Sequence, residues 1–256
     1  MLLAIDVGNT HTAVGVFDST ELVAHFRIHT DNRSTGDELG LVLTDLLRRR
    51  DISTDAIDAV AVSNVVPALS RAVDELSRAY LGVDDPLVVG PGIRSGLRIL
   101  YDDPRQVGAD RIANAIAAAA TYGGPAILVD FGTATTFDAL NAGGDYLGGA
   151  IAPGIAVSHD ALVSHAAKLN PVDLVAPPSA IGRTTTTSVQ AGLVYGHVGV
   201  VEELVARMTT ELDASPRVIA TGGLAPLMAP LTRCIDTVDQ QLTLTGLRLI
   251  HERNAG

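Results

Sequence analysis

The sequence predicts a duplicated α/β fold, two halves each built on a mixed sheet with flanking helices. Two observations lead there. An apolar-Asp-x-Gly-x-x-x-Thr pattern occurs at Ile5-Asp6-Val7-Gly8-Asn9-Thr10-His11-Thr12 and again at Val129-Asp130-Phe131-Gly132-Thr133-Ala134-Thr135-Thr136, about half of the 256-residue chain apart. Each copy follows an apolar run and leads into a strand meander, and the meander then gives way to helices alternating with strands.

In the first half, strands are predicted at 2–7, 12–18 and 21–28, joined by turns at Gly8-Asn9 and Asp18-Ser19-Thr20. Leu39, Val42, Leu43, Leu46 and Leu47 carry helical spacing over 35–50, and Arg48-Arg49-Arg50 close that helix where cations suit the dipole. A buried strand at 57–63, a helix at 67–80 and a short strand at 87–89 follow. Small residues from Arg111 to Tyr122 predict a helix able to pack closely at the join between the halves.

The second half repeats the order. Ala126–Val129 reads as a strand, with 135–141 and 145–151 as antiparallel neighbours around Gly143-Gly144. Pro153 is expected in the first turn of a helix reaching about Lys168, a position that tolerates proline. Helix near 186–212, a strand at 217–220, Gly222-Gly223 and further helical segments complete the chain.

Composition narrows the function. Apolar residues make up 47% of the chain, enough for a substantial core, and no apolar run approaches the ~20 residues of a membrane span. The chain opens directly on a strand without a basic leader, so a cytoplasmic protein is expected. A formal charge of −11 disfavours nucleic acid as a partner. Lys168 is the only lysine among 18 Lys and Arg, and no Gly-Lys-Ser/Thr occurs, which excludes a P-loop. Cys234 is the one cysteine, so no internal disulfide forms. His11 alone among seven histidines falls in a motif, where a loop hydrogen bond is expected; the others lack ligand spacing.

Each Asp-x-Gly turn places a carboxylate at a strand end beside backbone N–H and hydroxyl donors, a set that suits a polyphosphate with its hydrated metal. Either turn alone could be an ordinary hairpin; repetition at half-chain spacing favours phosphate. Val218 to Pro226, a strand running into Gly222-Gly223, suits a nucleoside or an ordinary strand-to-helix turn. Gly108-Ala109-Asp110-Arg111 opens the small-residue helix. Asp110 there could merely complement the helix dipole, or accept a proton from a substrate hydroxyl. Arg111 could steady an anion or pair with Asp110.

Eight motifs in order carry a resemblance: Asp6–Thr10, Ser63-Asn64-Val65-Val66-Pro67, Val89-Gly90-Pro91-Gly92, Val107–Arg111, Val129–Thr136, Gly148–Gly154, Ala220–Gly223 and Leu244-Thr245-Gly246-Leu247. Together they resemble the type III pantothenate kinases of the acetate and sugar kinase/Hsp70/actin superfamily. The resemblance implies two ribonuclease H-like (actin-like ATPase) domains, 1–114 and 115–256, with an ATP cleft between them. It implies ATP-dependent phosphorylation of pantothenate to 4'-phosphopantothenate, the first step of coenzyme A biosynthesis, by a homodimer with pantothenate near the subunit contact. Asp6, Val7, Gly8, Asn9, Thr10, His11, Thr12, Ala13 and Thr133 would bind ATP, with Asp6 placing Mg²⁺. Asp110 would be the general base. Tyr101, Gly108, Ala109, Asp110, Arg111 and Thr185 would contact pantothenate, and Asp130 would hold a monovalent cation, K⁺ or NH4⁺. The chain departs from the family pattern at Thr184 (usually asparagine), Thr187 (commonly acidic) and Asp103 (often asparagine). The alternatives are a regulatory homologue, such as a transcriptional accessory factor, and a kinase of another small alcohol.

Overall fold

A computed structural model describes residues 1–90 and 92–255; Pro91, within the Val89–Gly92 motif, lies outside them. The chain divides into two compact units. Unit 1 comprises Met1–Leu97, Asp102–Ala117 and the segment from Leu242 onward, and unit 2 comprises Arg98–Tyr101 and Ala118–Gln241.

Unit 1 is built on a five-stranded sheet ordered β3-β2-β1-β4-β5, with β1 (Leu2–Val7), β2 (His11–Asp18), β3 (Glu21–His29), β4 (Ala59–Asn64) and β5 (Leu87–Val88). β1 pairs antiparallel with β2 and parallel with β4, so the sheet is mixed. Alternation sorts its two faces. Leu3, Ile5, Val7, Val14, Val16, Val60 and Val62 form one core with Leu43 and Leu47 of α1 (Gly36–Arg48) and Val73 and Leu76 of α2 (Ser70–Leu81). Helix α1 starts at a Thr35–Glu38 capping box and ends where Asp45 pairs with Arg48 and Arg49. Helix α7 (Leu242–Asn254) covers the other face, with Leu244 against Gly15 and the Arg248 guanidinium 5.8 Å from the Phe17 ring centroid. Helix α3 (Ala109–Tyr122) packs on α7. A Cβ on Gly246 would overlap the Ala113 carbonyl, and Thr243 Oγ1 donates to the fully buried Asn114 Oδ1 at 2.7 Å. The tail motif is therefore a packing device.

Unit 2 repeats the plan as β10-β9-β6-β7-β8, with β6 (Ala126–Phe131), β7 (Ala134–Leu140), β8 (Tyr146–Pro153), β9 (Arg217–Thr221) and β10 (Thr237–Val238). Ile127, Val129, Phe131, Phe137, Val218 and Ala220 pack on Val194, Val201 and Val205 of the long α5 (Thr185–Leu212). Helices α4 (Ile155–His165) and α6 (Ala225–Met228) complete the unit. Among the described residues no helix is long and apolar enough to cross a membrane.

Three sequence expectations change. Pro153 does not open a helix: it is the last residue of edge strand β8, paired with Ala134, and Gly154 caps α4, which ends at His165. Proline is tolerated there because an edge strand leaves an N–H unclaimed. Residues 67–69 form a 3-10 turn ahead of α2. β10, too short for periodicity to reveal, adds a parallel edge beside β9.

Candidate active site

In unit 1, Asp6 lies opposite Ala13 on β2 and beside Ser63 on β4. Since Leu3, Ile5 and Val7 point to the α1/α2 core, Asp6 points the other way, to the side that α3 and α7 occupy. The Ser63 hydroxyl shares that side, is buried, and has no hydrogen-bond partner among the described residues. The turn closes with Gly8 N–H donating to His11 C=O at 3.1 Å, and a Cβ on Gly8 would sit 2.9 Å from that oxygen. Thr12 falls on the core face and shares a 2.9 Å hydroxyl contact with Thr30. His11 starts β2, accepts from Arg27 Nη2 at 3.1 Å and packs edge-on to His29. Partial burial, then the charges of Arg27 and His29, hold its pKa below 6.5.

Asp110 occupies the first turn of α3, at the N-terminal end of the helix. Its Oδ1 accepts from Arg111 N–H at 2.8 Å and lies against Gly108, where a Cβ would crowd it. Burial pushes its pKa above 3.8, against the opposing pull of the Arg111 N–H and guanidinium. Arg111 is itself buried. A carboxylate destabilised as an anion in this way is a stronger proton acceptor than an exposed one.

In unit 2, Asp130 lies opposite Thr136 on β7 and beside Thr221 on β9. These three share the face away from α5. The Asp130 carboxylate rests on Gly222, where any Cβ would overlap its Oδ1. The Gly-Gly motif is therefore also the floor beneath this carboxylate. Thr136 Oγ1 is buried and has no hydrogen-bond partner among the described residues. On the α5 side, buried His197 holds Thr135 Oγ1 at 2.9 Å and packs on Phe131. Burial lowers the His197 pKa, favouring its neutral form. Thr133 is exposed in the turn, and its C=O accepts from Gly154 N–H at 3.1 Å.

Tyr101 lies half-buried in unit 2, its ring 6.4 Å from that of Tyr146. Thr185 begins α5 elsewhere in that unit. It lines an open groove of about 900 Å³ between α4 and α5, together with Ser158, Leu162, Arg183, Thr184 and Ser188. Thr184 and Thr187 form the capping box of α5: each hydroxyl accepts from the other residue's N–H at 3.1 Å. Thr187 thus performs a task that an acidic residue commonly performs, and Asp103 likewise caps its own turn by accepting from Arg105 N–H. The walls of the groove include neither Tyr101 nor Asp130.

Sequence reasoning missed Ser63, Thr136 and His197 as site-forming residues. Ser63 and Thr136 were visible only as motif members, because register decides what faces Asp6 and Asp130. His197 gave no signal, since helix spacing does not announce which histidine is buried against a turn.

The family model "Type III pantothenate kinase" matches residues 2–207. A type III pantothenate kinase of Anaeromyxobacter sp. (strain Fw109-5) is 52% identical over 254 residues, spanning 99% of this chain and 100% of the relative. That of Moorella thermoacetica is 50% identical with the same coverage. Among solved structures, a protein described as a Baf family transcriptional activator from Campylobacter jejuni superimposes with a TM-score of 0.62 at 19% identity, over 99% of this chain and 98% of that one. The inorganic polyphosphate/ATP-glucomannokinase of Arthrobacter sp. strain KM gives 0.51 at 15%, over 98% of each chain. These two likenesses show the fold alone, the duplicated ribonuclease H-like architecture. With half its residues identical from end to end, this chain belongs to the type III pantothenate kinase family.

Proposed function

We propose that the protein transfers a phosphoryl group from ATP to the primary hydroxyl of pantothenate, opening the route to coenzyme A. The observation that carries this reading is Asp110: a carboxylate with a raised pKa, at a helix N-terminus, in a chain whose half-identical relatives bear the name pantothenate kinase.

In this reading Asp110 receives the proton of the pantothenate hydroxyl as the oxygen–phosphorus bond forms. An alcohol has too high a pKa to ionise beforehand, so alignment and charge neutralisation supply most of the rate. Tyr101, Gly108, Ala109, Arg111 and Thr185 bind pantothenate. The turn from Asp6 to Ala13 binds the ATP phosphates through backbone N–H groups and exposed side chains, the Thr12 hydroxyl being turned to the core, and Thr133 adds a contact.

The residues present fit two cations. Asp6 with the buried Ser63 hydroxyl offers hard oxygen donors for Mg²⁺, and Asp130 with the buried Thr136 hydroxyl offers them for K⁺ or NH4⁺. Bound there, the cations would neutralise phosphate charge that a chain with one lysine cannot. The separation of Tyr101 from the α4/α5 groove that holds Thr185 supports a homodimer in which a second copy completes the substrate contacts. The cytoplasm suits the reaction, and neither nucleic acid nor membrane takes part.

The test is ATP turnover by purified protein with and without pantothenate and K⁺. Pantothenate-stimulated ADP release is expected, and its absence sinks the reading. Asp110→Asn should lower kcat by about 10²–10⁴-fold yet fold normally. Because burial disfavours the charged form, Asp110 costs stability above its raised pKa and nothing below the ordinary carboxylate range. Melting at pH 7 should therefore be equal or higher in the Asn variant, with the gain vanishing in acid.

A further inference from the structure

The segment Arg98–Tyr101 belongs to unit 2, although the chain on both sides of it belongs to unit 1. It is a strap laid along the start of β8. Tyr146 N–H donates to Arg98 C=O at 2.9 Å, Leu100 N–H donates to Tyr146 C=O at 2.8 Å, and Ile99 forms an isolated parallel bridge with Tyr146. Both backbone hydrogen bonds meet at one residue, so the placement of Tyr101 depends on where Tyr146 is held.

Tyr146 is held from within. Its side chain is fully buried, and its hydroxyl donates at 2.6 Å to Asp138 Oδ1 on β7, a carboxylate only 1% exposed. Burying a carboxylate is costly unless strong hydrogen bonds compensate, and an apolar pair would fill a core at less cost. What the polar pair adds is direction: the 2.6 Å hydrogen bond fixes the ring rotation and the backbone beneath it. Next to it β8 bulges between its pairings with Ala139 and Leu140. Gly148, in the bulge, has φ +129°, and a Cβ there would meet the Tyr101 ring at 3.3 Å. The Tyr101 ring is thus seated on a bare backbone beside Tyr146.

We propose that Asp138 and Tyr146 are positioning residues for the phosphoryl acceptor: through the strap they set the place of Tyr101 and hence the affinity for pantothenate. This rests on the reading of Tyr101 as a pantothenate contact.

Two readouts on the full-length protein test it. In Tyr146→Phe the Leu100 amide should exchange hydrogen about tenfold faster, and the KM for pantothenate should rise about tenfold, the usual yield of one lost hydrogen bond. The KM for ATP should stay within about twofold, an effect that general destabilisation would not spare. Asp138→Asn, which keeps an acceptor for the Tyr146 phenol, should stay close to the wild-type KM. Gly148→Ala moves the Tyr101 ring without touching the buried pair, so it carries the same KM test should Tyr146→Phe not fold. Wild-type exchange at Leu100 in Tyr146→Phe overturns the proposal. So does an equal rise in both KM values, or an unchanged pantothenate KM in Gly148→Ala. If the wild-type protein shows no pantothenate-dependent turnover, the functional reading fails and takes the substrate role of Tyr101 with it; the Leu100 exchange rate judges the strap separately.

Discussion

The two Asp-x-Gly turns look alike in the sequence and differ by one residue in the ladder. In the first, three residues separate β1 from β2, and Asp6 faces Ala13. In the second, two residues separate β6 from β7, and Asp130 faces Thr136. Strand side chains alternate, so that single step sends the motif threonine to opposite sides. Thr12 turns into the core and bonds Thr30, whereas Thr136 sits on the same face as its aspartate with a hydroxyl that has no hydrogen-bond partner among the described residues. Duplication supplied two equal turns, and a one-residue change of register made one threonine structural and left the other available. The parallel neighbours, by contrast, match: Ser63 stands beside Asp6 and Thr221 beside Asp130, which also lies on Gly222.

The largest test of this inequality is Asp6→Asn beside Asp130→Asn. Removing Asp6 should lower kcat by about 10²–10³-fold, as losing a preorganised electrostatic group does, and Mg²⁺ should no longer restore it. Removing Asp130 should cost less, about tenfold, as the loss of one charge contribution, and should abolish the rate response to K⁺. Equal losses with equal cation dependence would mean the turns are equivalent after all.

A smaller effect is expected behind the second turn. His197→Ala deprives Thr135 of its buried partner and should cost about 1–3 kcal/mol of stability. Burial holds the folded pKa of His197 below 6.5, so the folded state takes up a proton less readily than the unfolded chain. The wild-type protein should therefore lose stability as pH falls below 6.5, and the variant should show a shallower slope in thermal melts over that window.

The smallest effects come from the matched threonines. Thr12→Val removes the hydroxyl contact to Thr30 and should lower stability by about 1 kcal/mol, with the ATP KM moving far less than in Asp6→Asn. Thr136→Val removes a hydroxyl with no hydrogen-bond partner among the described residues, so stability should hold while the K⁺ concentration for half-activation rises. A stability loss at Thr136 matching that at Thr12 would erase the contrast.

Much of the fold was legible because long periodic segments announce themselves. The strands predicted at 2–7 and 126–129 form, the latter running two residues further, and the α1 stripe ending in arginines and the small-residue run of α3 both lie in helices. Short or edge features were not: β10 has two residues, and Pro153, expected to open a helix, ends an edge strand instead. Of the site, the aspartates were visible because each stands in a motif. The partners that set their environment were not, since Ser63 reaches Asp6 only through parallel pairing of β1 with β4, and Tyr146 reaches Asp138 only across a bulged hairpin.

The sequence by itself determined the duplicated α/β plan and the family, and singled out the motif aspartates proposed to carry the chemistry, because these depend on local patterns and ordered motifs. Tertiary structure decided which face each motif residue takes, that burial raises the Asp110 pKa, and that a four-residue strap carries Tyr101 into the second unit. Register and burial arise between strands and helices far apart in the chain, and no local pattern encodes which of two identical threonines will meet its aspartate.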